Sequence, residues 1–358
     1  MEDPGNLHMA RSPARVSLAG LKRKITIAGG GLAGLSLAVA LRNHEIAVTV
    51  LEAGSYPRHR VCGEFISGVT DETLDALGIS ELFDDALSHR SLCWYDGGRL
   101  LLRDHLKNPA RGISRYVLDQ RLRDRVINLG GEVKTGERAR PEPADGHVWA
   151  AGRRPRNGQW IGLKAHVHHT KLAADLEMHA GSNGYAGLAG VEDGWTNICG
   201  LFKIDRSLQA HGPALLPAYL EAGGNRELAA TIRDSKWREG SFSAIAGFEL
   251  GRQAPLPGLL SIGDAESMIP PFTGNGMSMA FEAAECALAP LVAWAQGEQA
   301  WQQTIQSVRV GLSQKFKLRL NTAGLLHPIL LSTRGRSVIH QLASTHLLPF
   351  QPMMALTR

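Results

Sequence analysis

The segment Lys24-Ile25-Thr26-Ile27-Ala28 runs straight into Gly29-Gly30-Gly31-Leu32-Ala33-Gly34, and helix-forming Leu35-Ser36-Leu37-Ala38-Val39-Ala40-Leu41 follows. A second apolar strand, Ala47-Val48-Thr49-Val50-Leu51, ends on Glu52. Strand, glycine turn, helix, strand and terminal acid in this order confine the segment to a βαβ unit, with Gly29, Gly31 and Gly34 in the G-x-G-x-x-G places. Each glycine has its own task. Gly29 permits the tight turn, Gly31 lets the backbone approach a pyrophosphate, and Gly34 lets the helix lie close on the strand. The helix N-terminus offers free N–H groups and a positive dipole end to phosphates. Glu52 stands near the spacing, roughly 20 residues, at which a carboxylate meets an adenosine ribose. A purely structural glycine turn would leave Glu52 unexplained.

A second cluster lies far along the chain. Leu256-Pro257-Gly258-Leu259-Leu260-Ser261-Ile262-Gly263-Asp264 reads as a strand delivering an acid. The loop Ile269-Pro270-Pro271-Phe272-Thr273-Gly274-Asn275-Gly276-Met277 follows, and a helix runs on through Phe281–Ala287. An adenosine site at one end and this arrangement at the other imply an extended dinucleotide. Asp264 would accept from a ribityl hydroxyl. Beyond Pro271, the amides of Gly274, Asn275, Gly276 and Met277 would face a ring carbonyl where negative charge develops on reduction.

The rest of the chain bounds the alternatives. Its 358 residues are 44% apolar and 20% charged, enough for one large domain or two interlocked ones. Lys and Arg number 39 against 34 Asp and Glu, a net +5 scattered among acids, which does not point to nucleic acid. Cys62, Cys93, Cys199 and Cys286 form no C-x-x-C pair, as in a reduced, cytoplasmic chain. Residues 1–23 read as a disordered leader, and no uncharged apolar run is long enough to span a membrane. Leu325–Leu331 and Leu347–Phe350 alternate with basic residues, so 311–358 is expected as a helical layer that could also touch a membrane surface.

Between the two clusters, 71–87 has helical spacing interrupted at Gly78, and Leu92–Tyr95 with Leu100–Leu102 flank Asp96-Gly97-Gly98 as a hairpin. Leu118, Leu122, Val126 and Leu129 mark a helix stopped by Gly130-Gly131. Strands dominate from Ile161 to Ile204, suggesting an antiparallel sheet inserted into an α/β framework. Trp195, Tyr185 and Phe202 on that sheet are either walls of a substrate pocket or core. His166, His168, His169 and His179 suggest a metal cluster, but no acid or cysteine completes a ligand set, so none is expected.

These residues resemble the flavoprotein superfamily of p-hydroxybenzoate hydroxylase and geranylgeranyl reductase. Four pieces carry the likeness over about residues 24 to 300: the fingerprint ending at Glu52; Pro57-Arg58-His59-Arg60-Val61-Cys62-Gly63-Glu64; Arg115…Leu118-Asp119…Leu122; and Gly263-Asp264 with the Pro-Pro-Phe-Thr-Gly-Asn-Gly loop. The usual Ala-Asp-Gly-x-x-Ser segment survives only as Ala150-Ala151-Gly152-Arg153-Arg154-Pro155, without its acid, and no Trp-x-Trp-x-Ile-Pro halogenase motif is present.

The resemblance implies a doubly wound Rossmann-type α/β domain with an inserted antiparallel-sheet substrate domain, of glutathione-reductase-like flavoprotein architecture. The FAD-binding part would comprise 24–65, 113–160 and 256–310, and the substrate domain 66–112 and 161–255. The cofactor would be FAD, with NAD(P)H as a transient reductant because no second nucleotide fingerprint exists. Arg115 would contact the cofactor; Arg58 would contact the flavin or its phosphates, or else be one of several surface arginines; and Cys62 would tune the flavin or supply a proton, or else be a small apolar residue in a turn. The Cys-Gly-Glu segment favours reduction of a carbon–carbon double bond in a lipophilic isoprenoid- or polyketide-like substrate. The competing expectations are a class A flavin monooxygenase acting on an aromatic or polyketide substrate, and a flavin-binding protein without turnover.

Overall fold

The computed structural model describes residues 22–153, 156–168 and 171–357. The leader lies outside these residues except for its last two, and those are tied down: Arg23 donates its backbone N–H to Ala295 and Lys22 pairs with Glu45. His169, Arg154 and Pro155 also lie outside.

Five parallel strands form the first sheet, in the spatial order Leu260–Ser261, His147–Trp149, Ile25–Ala28, Val48–Glu52 and Glu132–Thr135. The order reverses beside Ile25–Ala28, so the carboxyl end of that strand is the topological switch point, where open α/β sheets bind ligands. Apart from Thr26 the Ile25–Ala28 strand is apolar, and Ile25, Ile27 and Ala28 are buried. On one face lies the helix Leu32–Asn43, with Leu35, Leu37, Val39 and Leu41 all fully buried. The Gly276–Ala295 helix packs over it, and the long Trp301–Leu331 helix packs over that. Gly276–Ala295 is long and apolar enough to cross a bilayer. Here it is a core helix, with Phe281, Ala284, Ala287 and Leu291 at 0% exposure.

The second sheet has nine strands and carries the inserted region. It is antiparallel with one exception: Leu87–Asp96 runs parallel to Leu176–Gly181. The hairpin around Asp96-Gly97-Gly98 is present and longer than expected, Leu87–Asp96 against Arg99–Gly112. It absorbs Leu87, which the spacing had placed in a helix. That helix is only Asp71–Leu77, because Gly78 at φ +69° closes it with a left-handed cap. The strand expected over 256–264 shrinks to Leu260–Ser261, and Gly263–Ala265 is a short 3-10 turn. At the C-terminus, helices span Trp301–Leu331, Thr333–Ser344 and Phe350–Leu356, so a boundary after residue 310 would cut a continuous helix. Leu318, Leu325 and Leu347 stand exposed on this layer.

Candidate cofactor and substrate site

The glycine turn is built as its spacing demands. Gly29 has φ +111°, and a Cβ there would lie 2.2 Å from the Ala150 carbonyl oxygen. A Cβ on Gly34 would lie 2.0 Å from the Gly29 oxygen, so this helix can approach its strand only through glycine. Gly31 is different. The nearest atom to a Cβ there is the Arg115 guanidinium, 3.8 Å away. Gly31 thus faces open space bounded by a cation, at the uncapped N-terminus of a helix with no acid in its first turn. That combination suits a pyrophosphate.

Arg115 is aimed by its own helix, whose N-cap Ser114 accepts from Val117 N–H. Buried Asp119, one turn on, receives Arg115 at 2.6 and 2.9 Å and Arg60 at 2.7 Å. Glu52 is equally engaged. One carboxylate oxygen accepts from Gly54 N–H and Arg58, both within 2.8 Å; the other accepts from Gly30 N–H at 2.9 Å and Arg60 at 3.4 Å. Burial alone would raise this carboxyl, but the Arg60 charge, the Gly54 amide, the Arg58 charge and the Gly30 amide hold it below the ordinary value. A ribose hydroxyl at Glu52 must therefore share the carboxylate with Arg58 or displace it. Tyr56, Arg60 and Asp119 belong to this network too. Tyr56 donates its hydroxyl to the Gly30 oxygen at 2.5 Å.

The second cluster meets the first as expected: a Cβ on Gly263 would lie 3.0 Å from the Ala33 Cβ, on the first turn of the Leu32–Asn43 helix. Asp264 stands in the groove beside it, open to water yet ringed by protein. Burial raises its carboxyl, opposed by the Arg115 and Arg153 charges. The four loop amides do not act alike. Gly274 N–H donates to the Pro271 oxygen and Asn275 N–H to Thr273 Oγ1. Gly276 and Met277, the first residues of the Gly276–Ala295 helix, are left as the free pair among the described residues. The Asn275 side chain points away from that role, donating to the Thr357 carbonyl near the C-terminus. Pro271 is exposed at the loop's edge. The fingerprint glycines, Glu52, Arg58, Arg115 and Asp264 thus gather at the switch point, with the Pro271–Met277 loop beyond Asp264. The donor set fits an extended dinucleotide.

Cys62 approaches the Arg115 guanidinium, but burial raises its thiol above the ordinary value, so it is a protonated thiol at neutral pH. Next to it stands a buried polar group that the spacing did not reveal. Glu64, at φ +52°, accepts from His166 Nε2 at 2.5 Å and from Lys164 at 3.2 Å, and Lys164 also donates to His59 Nδ1 at 3.0 Å. Glu64, Lys164 and His166 are each 0% exposed. An acid does join His166, contrary to the reason for setting metal aside: His59, Glu64 and His166 offer ligand atoms within 4.8 Å of one another. Lys164 contacts two of the three, Glu64 and His59. His179, by contrast, pairs with Glu177 and stacks on Tyr95. Of the three candidate wall aromatics, Phe202 is core against Tyr219, and Trp195 packs on His168 and Arg238. Tyr185 alone reaches a cleft, through Phe272 and His327.

Fold and site together define a Rossmann-type dinucleotide-binding sheet joined to a second, largely antiparallel sheet. Among solved structures, PqsL of Pseudomonas aeruginosa, described as a probable FAD-dependent monooxygenase, superposes with a TM-score of 0.69 at 16% identity, over 89% of this chain and 99% of that one. The flavin-dependent brominase Bmp2 gives 0.72 at 15% identity over 93% and 92%. A variant of Klebsiella pneumoniae HpxO complexed with FAD gives 0.67 at 16% identity over 93% and 98%. At these identities the likeness establishes the fold. The Pyridine nucleotide-disulphide oxidoreductase family matches residues 24–87, which contain the glycine fingerprint. No curated protein matches the chain by sequence.

Proposed function

We propose that this protein is an FAD-dependent monooxygenase reduced by NAD(P)H, acting on a small organic substrate held between the second sheet and the Trp301–Leu331 helix. The observation that carries the reading is the open groove at the switch point, with Gly31 and Arg115 at one end, Asp264 in the middle and the free Gly276 and Met277 amides at the other. When bound, FAD supplies the redox chemistry and the means of activating O₂. Arg115, steered by Asp119, would neutralise the pyrophosphate, and Glu52 would hold the adenosine ribose. Asp264 would orient the ribityl chain. Gly276 and Met277 N–H groups, at the positive end of a long helix, would stabilise charge arising on the far ring system. The structures compared include monooxygenases and a brominase, which favours oxygen chemistry over the double-bond reduction suggested by Cys62-Gly63-Glu64.

The test is rapid mixing of the anaerobically reduced protein with oxygenated buffer, with and without candidate substrate, following flavin absorbance. A transient band to the blue of oxidised flavin is expected before reoxidation. Direct return to oxidised flavin under both conditions would instead favour the reductase, and a preparation that binds no FAD would sink both.

A further inference from the structure

A cleft of about 460 Å³ opens between the loops around Gln159 and Leu250 and the Trp301–Leu331 helix, and Pro270 of the flavin-side loop closes one end. Its volume lies within the roughly 300–1,000 Å³ of small-molecule sites. Polar Asn157, Gln159 and Glu249 are exposed at its edge. From the helix, Leu320, Gly324 and His327 line it at i, i+4 and i+7, one face of an α-helix.

His327 is the anomaly. It is 7% exposed, in an aromatic box: its ring stacks on Phe272 (6.0 Å, 9°), tilts against Trp160 at 5.1 Å and meets the edge of Tyr185 at 5.8 Å. Its Nε2 is buried with no hydrogen-bond partner. Burial drives the imidazole pKa down to about 4, so the ring is neutral. A buried polar atom without a partner costs stability, and cores seldom keep one unless something else meets it. Phenylalanine would fill the same box without that cost. Gly324 is the matching oddity: a Cβ there meets nothing within 4 Å, in mid-helix where alanine would be the more stable choice. The helix leaves room in the cleft beside an unmet hydrogen-bonding nitrogen.

We propose that His327 is the specificity-determining residue of this cleft, selecting flat molecules that bring a hydroxyl to its Nε2 while Trp160, which also lines the cleft, packs against the ring. This deepens the oxygenase reading by naming what its substrate must present. A hydroxyl satisfies either imidazole tautomer, because it both donates and accepts.

The test is equilibrium binding of 2-naphthol and of 2-methylnaphthalene, its near-isostere without the hydroxyl, by calorimetry or tryptophan quenching. Wild type, His327→Phe and Gly324→Leu would be compared under anaerobic, unreduced conditions, each first checked by melting. His327→Phe keeps the aromatic stack, so the naphthol-over-methylnaphthalene preference should fall about tenfold while methylnaphthalene binding holds. Gly324→Leu fills the cleft, so both ligands should weaken about tenfold or more. An unchanged preference in His327→Phe, undiminished binding in Gly324→Leu, or no binding to wild type would each overturn the proposal. No reductant or oxygen takes part, so failure of the oxygenase reading in rapid mixing would leave a positive result here standing.

Discussion

Glu52 carries more than the ribose contact its spacing suggests. Four donors share its carboxylate, two of them the guanidinium groups of Arg58 and Arg60. Glu52→Gln keeps the shape and removes the charge, and hydrogen bonds to charged groups are worth about 1.5–3 kcal/mol. FAD affinity should drop about tenfold or more, read by quenching of free FAD fluorescence; an unchanged affinity would show that Glu52 serves the protein rather than the cofactor. His327 makes a second residue-scale prediction. Its pKa is about 4 in the folded protein against 6.5 when unfolded, so the unfolded chain binds the extra proton between those values. Unfolding free energy should therefore fall as pH drops from 6.5 to 4, by about 3 kcal/mol from this group, and level off below. His59, lowered to about 3 by burial and by the Lys164 and His166 charges, acts in the same direction. Urea unfolding of His327→Phe across this range should show a shallower slope than wild type. The fingerprint glycines, Glu52, Arg115 and Asp264 were legible because each must occupy a fixed place in a local motif. His327, Gly324, Lys164 and His166 were not, since what marks them is a missing or distant partner.

At the scale of elements, the βαβ unit is fixed by contact distances that only hydrogen satisfies. Gly34→Ala would push a methyl to 2.0 Å from the Gly29 oxygen, forcing the Leu32–Asn43 helix off its strand. Such overpacking costs about 1–3 kcal/mol. The melting temperature should fall, and FAD binding should suffer more than that loss explains, because the helix N-terminal amides that would face the phosphates move with the helix. Equal melting of mutant and wild type would contradict the geometry. Elements with a local cause were foreseen: the Ser114-capped helix, the Gly97-Gly98 hairpin and the stop at Gly130-Gly131. Errors arose where apolar spacing fitted two structures. Leu82 and Leu87 continued a helical pattern past Gly78, yet the left-handed cap ended the helix and strand pairing with Gly112 claimed Leu87. Likewise, four adjacent loop amides looked equivalent in sequence, but the turn through Gly274 spends two of them on its own closure.

Across the whole molecule, the C-terminal helices bind distant parts of the fold. Asp96, at the tip of the first hairpin strand and 5% exposed, is held by Arg336 at 3.0 Å and His340 at 2.6 Å. Thr357 meets Asn275 beside the candidate flavin site. Arg336→Met should leave buried Asp96 with only its His340 contact and cost about 2 kcal/mol in urea unfolding; Asp96→Asn combined with Arg336→Met should recover part of it, whereas additive losses would deny the pairing. By itself the sequence determined the Rossmann unit and the two clusters that meet at its switch point, since local sterics dictate where glycine, acid and helix start must stand. Only the tertiary structure decided that Arg58 already occupies Glu52, that buried Lys164 meets Glu64 and His59, and that a cleft is lined by a His327 whose Nε2 lacks a hydrogen-bond partner. Those outcomes depend on side chains from strands and helices far apart in the chain, and no local rule specifies which of them meet in a common core.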